Sequence, residues 1–271
     1  MKYLILTFLC FTTLFSCKKR ETDYLVKYNF RYSPDSLNQS YKLTDEMVLR
    51  TNDKGFVFMT NNAFSTDTIK KDITTLITEG KLSASDLVLK NNENNKFRIY
   101  FEKDSTSYFL KTQVNGLVFN FKDDVPEIKW KLLNETKKIN EFDVKKAITT
   151  LFGRNWIAWY ANEIPVSYGP YKFHGLPGLI LELNDENNHF HFEAISVVKD
   201  TTNYPIYEKY NEVNSKRSEF ERAIQSYKQN PAKINMRTGD DIIKDAEVLG
   251  KRKEKLKTKN NSIEKGFQFD L

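Results

Sequence analysis

The sequence predicts an α+β protein dominated by a curved antiparallel sheet, with a helix near residues 67–80 and further helices near the C-terminus. Short apolar runs with a period of two recur from residue 24 onwards and are separated by polar turns, which is typical of antiparallel strands. After residue 205 this alternation gives way to stretches rich in Glu, Lys and Arg. The 271 residues are 39% hydrophobic, so the chain can form a packed core and is too apolar for intrinsic disorder.

The N-terminal elements have the clearest patterns. Aromatic and branched residues alternate with polar ones over residues 24–32, which predicts a half-buried strand. Apolar runs at 47–51 and 56–60 flank a turn that ends at Gly55, so we expect a hairpin in which Gly55 takes a positive φ. Apolar residues then share one helical face over 67–80, between a candidate cap and a glycine, which predicts a helix.

The remaining elements follow in the same order along the chain. We expect strands at 87–89, 97–101, 108–110, 117–121, 128–132, 179–183 and 189–197. We expect helices within 207–228 and 240–257, and a terminal strand at 267–271. No repeat with a period of 20–50 residues is visible, so residues 24–271 are predicted to form one domain.

The first 23 residues predict an export signal and a lipid anchor. Met1 and Lys2 precede an apolar stretch over residues 3–15, and Ser16-Cys17-Lys18 follows it. This resembles a secretory signal, residues 1–16, that ends in a bacterial lipobox; the alternative is an ordinary signal peptide with a chance cysteine. We expect Cys17 to carry the lipid, residues 17–23 to be a tether, and the protein to lie on the outer membrane, facing the periplasm or the cell surface.

The charge pattern argues against nucleic acid as a partner. Loss of residues 1–16 leaves 41 basic and 36 acidic residues, a net charge of +5. Residues 251–259 alone carry a net charge of +5, so the rest of the chain is neutral. A nucleic-acid surface needs basic residues interleaved with aromatic ones. We therefore interpret 251–259 as a solvated helix end or loop, with contact to anionic lipid headgroups as the alternative.

The most distinctive motifs lie within residues 125–195. They are Trp130-Lys131-Leu132, Lys146-Ala147, Gly153-Arg154-Asn155-Trp156, Ala158-Trp159-Tyr160, Glu163-Ile164-Pro165, Gly169-Pro170-Tyr171-Lys172-Phe173 and Gly175-Leu176-Pro177-Gly178-Leu179-Ile180. This region resembles the GLPGLI family of Gram-negative envelope proteins, for which no biochemical activity is established. Many members carry a cysteine shortly before the Lys-Ala pair, whereas this chain has EFDVKKA at 141–147. A redox or metal role for that position therefore does not apply.

The hexapeptide itself predicts a structural corner. Pro177 fixes its own φ, and Gly178 is expected to take the positive φ of a type II turn before a strand begins at Leu179 and Ile180. The alternative is that the backbone N–H groups of this segment, from Gly175 and Leu176 onwards, bind an anion.

A second group of residues is predicted to bind a ligand or partner. Arginine and tryptophan are enriched in binding hot spots because they bury a large area at small entropic cost. The candidates are Arg154, Trp156, Trp159, Tyr160, Lys172 and His174. The alternative is that both tryptophans pack in the core and Arg154 pairs with a carboxylate such as Glu163.

Catalytic signals are weak. His189, His191 and Glu193 share one face of a predicted strand, and with Asp185 or Glu182 nearby they form a candidate zinc or copper site. The chain has no H-E-x-x-H, G-x-S-x-G or P-loop motif, and the predicted processing leaves no free thiol. We therefore expect a binding or accessory module without a cofactor, for a peptide, a glycan or an envelope protein, with outer-membrane transport as one setting. The alternative is a metal-binding protein or metal-dependent hydrolase.

Overall fold

The computed structural model describes residues 23–65, 97–115, 117–200, 214–232 and 246–265. The predicted helix at 67–80, the strands at 87–89 and 267–271, and Cys17 lie outside these ranges. Within them, the α+β, β-dominated class is confirmed. No helix of the described ranges combines the length and the apolar character that crossing a bilayer requires.

The described residues form one antiparallel sheet and two complete helices, and residues 61–65 are also helical. The strands are β1 Tyr24–Tyr32, β2 Leu43–Asn52, β3 Gly55–Thr60, β4 Arg98–Glu102, β5 Ser107–Val114, β6 Leu117–Asp124, β7 Lys131–Ile139, β8 Phe142–Leu151, β9 Arg154–Ala161, β10 Leu179–Asp185 and β11 Phe190–Lys199. The helices are α1 Arg217–Gln229 and α2 Ala246–Thr258. Their spatial order is β6-β5-β4-β3-β2-β1-β11-β10-β9-β8-β7. Two meanders are therefore joined by the pairing of β1 with β11.

The early strands and both C-terminal helices agree with the sequence predictions. Gly55 has a φ of 143° at the end of the β2–β3 turn, as expected. Strand β7 begins only at Lys131, so the predicted strand at 128–132 is displaced, and β8 and β9 were not predicted.

Helix α2, which carries most of the basic stretch, has no buried residue. Its charges pair locally, with Lys251 on Glu247 at 2.6 Å, so the solvated-helix interpretation fits.

The sheet is curled rather than flat. A flat sheet of eleven strands would be about 48 Å wide at the usual strand spacing, whereas residues 125–130, which connect β6 to β7, reach about 25 Å at most. The N–H of Val125 donates to the carbonyl of Thr106 at 3.0 Å, and the hydroxyl of Thr149 donates to the carbonyl of Lys129 at 2.8 Å. The connecting segment therefore bridges the gap between the two edges.

Residues 162–178, here called the interior loop, fill the space that the curled sheet encloses. Tyr171, Phe173 and Leu176 are at most 1% exposed. The ring of Tyr171 lies 5.7 Å from that of Phe97, beside β4, and the ring of Phe173 lies 4.8 Å from that of Trp156 in β9. The loop thus contacts both meanders, and the hydrophobic core forms around it.

The hexapeptide is a structural corner, although the glycine with a positive φ is not the predicted one. The positive φ belongs to Gly175, at 91°, so the prediction of a positive φ at Gly178 is wrong. Gly178 is required for space instead, because a Cβ there would lie 2.2 Å from the carbonyl oxygen of Ala161. The N–H groups of Gly175, Leu179 and Ile180 donate to loop carbonyls, so these three are not available to an anion.

Candidate functional site

Three of the predicted binding residues are buried in the core. Trp156 is 0% exposed, Tyr160 2% and Arg154 7%, so these three side chains form no exposed binding surface. The indole N–H of Trp156 donates to the carbonyl of Leu151 at 3.0 Å. Arg154 pairs with a carboxylate, as the alternative expected, but the partner is Asp185 at 3.2 Å rather than the exposed Glu163.

Arg154 also connects residues 261–265, here called the C-terminal segment, to the sheet. Its Nη2 donates to the side chain of Asn261 at 2.5 Å and to the carbonyl of Ser262 at 2.7 Å. Burial lowers the pKa of the guanidinium, and Asp185 opposes that effect. The guanidinium stays charged at neutral pH, because an arginine side chain does not lose its proton in proteins. Its donors are engaged by described residues, so Arg154 has a structural role.

Lys172 is likewise a structural cation. It is 1% exposed, and its Nζ lies 2.6 Å from both Asp123 and Glu264. Arg217 contacts the same two carboxylates, at 2.7 and 3.6 Å. Burial raises the pKa of Asp123, but Lys172 and Arg217 outweigh it, and the net shift is downward. This ionic cluster connects the interior loop to β6, α1 and the C-terminal segment, so the described contacts of Lys172 are structural.

His174 is a partly buried member of the interior loop. Its Nε2 lies 3.2 Å from the carbonyl oxygen of Pro126, to which it donates. Burial lowers the pKa of its imidazole, which the bond to Pro126 partly offsets. Because the indole of Trp130 donates to the carbonyl of His174 at 2.8 Å, this histidine joins the loop to the bridging segment. The contacts are those of a structural residue rather than of the predicted binding residue.

The predicted metal ligands do not converge. His189 precedes β11 and turns toward Asp185, with 3.8 Å between Nδ1 and Oδ2. His191 and Glu193 instead contact Arg31. Its Nη2 lies 2.9 Å from Nδ1 of His191 and 3.2 Å from Oε2 of Glu193. Within the described ranges, no three histidine, cysteine or acidic side chains are placed to hold one metal ion. The described structure therefore does not bring His189, His191 and Glu193 together as one zinc or copper site.

Trp159 is a predicted binding residue whose side chain stays partly exposed. It is half-buried, and the ammonium groups of Lys137 and Lys146 lie 4.4 and 5.8 Å from its ring centroid. Trp159 is paired across the strands with Glu182, which forms an ion pair with Lys137. Its indole thus lies on the same face of the sheet as Glu182.

A polar groove opens beside Glu182 on this face and encloses about 480 Å³. Its lining residues, which define the Arg31 groove, are Arg31, Lys42, Glu182, Asn184, Asn188 and His191. Strand register brings three of them together, because Arg31 in β1 pairs with His191 in β11, which pairs with Asn184 in β10. Lys42 comes from the segment before β2, and Asn188 from the turn before β11, where its φ is 54°.

The hydrogen bonds of the groove define the state of its histidine. Nη2 of Arg31 can only donate, so Nδ1 of His191, 2.9 Å away, accepts. Neutral His191 therefore carries its proton on Nε2, which lies 3.3 Å from Oε1 of Glu182. Burial raises the pKa of Glu182, but His191 and Lys137 outweigh it and the net shift is downward. Glu182 is therefore ionised at neutral pH.

The sequence did not identify most of this groove. Glu182 and His191 were considered only as metal ligands, and no spacing relates Arg31, Lys42 and Asn188. The outward positions of an alternating strand are individually readable from sequence. Which strands lie side by side, and in which register, is set by tertiary pairing.

Comparison with known proteins gives a short family match and a fold match. The family described as "Protein of unknown function (Porph_ging)" matches residues 153–182, the stretch that contains β9, the interior loop and the start of β10. No curated protein matches the chain. Two structures of PNGF-II, in space groups P21 and C2, are similar to it with a TM-score of 0.51 and 16% sequence identity. They match over 76% of this chain, which spans only about a third of theirs, 34% and 33%. At this identity the likeness shows the fold alone.

Proposed function

We propose that this chain is a lipid-anchored protein of the cell envelope that binds a glycan in the Arg31 groove without cleaving it. The observation that carries the proposal is the lining, since all six residues of the groove are polar or charged. The lipobox at Cys17 and the resemblance to the GLPGLI family support the location in the envelope, with the protein held on the outer membrane.

The polar lining favours a glycan over a peptide as the occupant. Pockets for most small molecules are predominantly apolar, with few polar groups. An extended peptide needs apolar pockets for its side chains or a free strand edge, whereas a sugar presents hydroxyl groups in every direction. Two asparagines, a histidine, a glutamate and two cations provide both donors and acceptors for such hydroxyls.

The state of the carboxylates supports binding rather than hydrolysis. A glycosidase needs one carboxylic acid that is protonated near its working pH. Glu182 is instead held ionised by Lys137 and His191, which lower its pKa. Glu193, directly across from it on β11, is half-exposed and paired with Arg31. Neither group has the environment of a general acid.

Capture of envelope glycans tests this function. The mature protein, immobilised, is incubated with oligosaccharides released from envelopes of the cells that make it, and retained sugars are quantified. We expect retention by the wild type and a loss of at least about tenfold for Arg31→Ala, the scale of one charge-assisted hydrogen bond.

Lys27→Ala is the matched control, because Lys27 lies on the same strand and face and forms a comparable exposed ion pair, with Glu46 at 3.4 Å. It should retain glycans like the wild type. Retention of no glycan by the wild type, or equal loss in both variants, would refute the proposal. Mass spectrometry of the mature N-terminus tests the anchor separately, and an unmodified Cys17 would contradict it.

A further inference from the structure

We propose that Arg31 and Lys42 form a carboxylate subsite, so that the glycan bound in the Arg31 groove is an acidic one. This inference rests on the proposed function and narrows its substrate class. It depends on which hydrogen-bonding groups of the groove are already used and which are not.

Arg31 has unused donors at the edge of the groove. Its bonds within the described ranges all come from Nη2, to His191 and to Glu193. Nε and Nη1 donate to no described residue, and the side chain is 44% exposed. Because His191 and Glu193 both contact Nη2, the orientation of the guanidinium is set before a ligand binds. The free N–H groups of Nε and Nη1 can each donate a charge-assisted hydrogen bond to a carboxylate oxygen.

Lys42 provides a second, nearly free cation in the same groove. Its Nζ makes a single long bond within the described ranges, 3.3 Å to the carbonyl oxygen of Asn188. An ammonium group has three donors, so two remain open. The side-chain amide of Asn188 forms no hydrogen bond with any described residue and is exposed. The unused groups of this part of the groove are therefore mostly donors.

The acids of the groove are already compensated. Glu182 is engaged by Lys137 and His191, and Glu193 is engaged by Arg31. Arg31 and Glu193 balance each other, and Lys42, which has no acidic partner among the described residues, leaves one net positive charge. A monoanion balances that charge, and the carboxylate of an acidic sugar is such a group. A doubly charged phosphate would leave an excess negative charge beside Glu182 and Glu193.

Carboxyl reduction of the glycan tests the subsite directly. Oligosaccharides released from the envelopes are divided by anion exchange into a neutral and an acidic fraction. Part of the acidic fraction is treated with carbodiimide and borohydride, which converts each carboxylate into a primary alcohol and leaves phosphate groups intact. Binding of the three preparations to the mature protein is measured by calorimetry. We expect the acidic fraction to bind and the reduced fraction to bind at least about tenfold more weakly.

The variants assign the effect to the groove. In Arg31→Ala and in Lys42→Ala, the acidic and the reduced fraction should bind within about threefold of each other, while Lys27→Ala keeps the full difference. Equal binding of the acidic and reduced fractions by the wild type, or binding of the neutral fraction as tightly as the acidic one, would overturn the carboxylate subsite and leave the glycan function intact. Binding of no fraction would overturn both.

Discussion

Replacement of Lys172 by methionine is the sharpest test of how the interior loop is held. Methionine keeps most of the volume of the side chain but leaves Asp123 and Glu264, only 10% and 6% exposed, without their shared cation. Removing one partner of a buried ion pair costs about 3–5 kcal/mol. Arg217 still contacts both carboxylates, so we expect a loss near the lower end, about 3 kcal/mol of the free energy of unfolding at pH 7.

The assay is urea unfolding of the mature protein followed by tryptophan fluorescence. The control is Lys27→Met, which breaks the exposed pair with Glu46 and should change the free energy of unfolding by less than about 1 kcal/mol. Adding Asp123→Asn and Glu264→Gln to Lys172→Met should recover part of the loss, because the two buried charges are then removed.

The pH dependence gives an independent check on the cause. Because the net shift of the Asp123 pKa is downward in the folded protein, its ionisation stabilises the fold above the unfolded pKa of about 3.9, and that contribution disappears as the pH falls through the folded pKa. The difference between wild type and Lys172→Met should therefore shrink below about pH 4. A Lys172→Met protein as stable as wild type at pH 7, or a difference that stays constant with pH, would refute this reasoning.

Three further predictions concern the interior loop and β9. Gly178→Ala should destabilise the protein by about 1–3 kcal/mol in urea unfolding, since its Cβ meets the carbonyl of Ala161 at 2.2 Å; unchanged stability would contradict this. Trp156→Ala should lower the free energy of unfolding by about 3–5 kcal/mol, and Trp159→Ala should lower it by less than half as much. Equal losses in the two variants would contradict the difference in burial between the two tryptophans. Burial lowers the pKa of His174, so wild-type stability should decline as the pH falls below about 6.5, where the unfolded histidine takes up a proton; a His174→Gln variant with the same decline would exclude this histidine as its source.

Local patterns predicted the strands whose alternation is unbroken. Residues 24–32 alternate strictly and form β1. Strand β8 was missed because its buried positions, Val144, Ala147 and Thr149, change phase within the strand, so a strict period of two fails. Strand β9 was missed because the glycines and prolines around it, together with its tryptophans, indicate an irregular segment rather than a strand.

The candidate site depended on information that local patterns lack. His191 and Glu193 lie on one face, as their spacing predicted, but His189 lies outside the strand and so does not share it. The partner of both residues, Arg31, is 160 positions from His191, and only the pairing of β1 with β11 brings it there. The motif residues Arg154 and Trp156 were assigned to binding because arginine and tryptophan are common in hot spots. The curl of the sheet around the interior loop buries them instead.

The most direct test of glycan binding in the Arg31 groove is amide hydrogen exchange of the mature protein with and without the envelope oligosaccharides. The account predicts that the oligosaccharides slow exchange in the C-terminal half of β1 and in residues 182–192. The same slowing should occur in Lys27→Ala and should be absent in Arg31→Ala. Slower exchange confined to the edge strand β7, or to the face around α2, would place the ligand elsewhere and contradict the account.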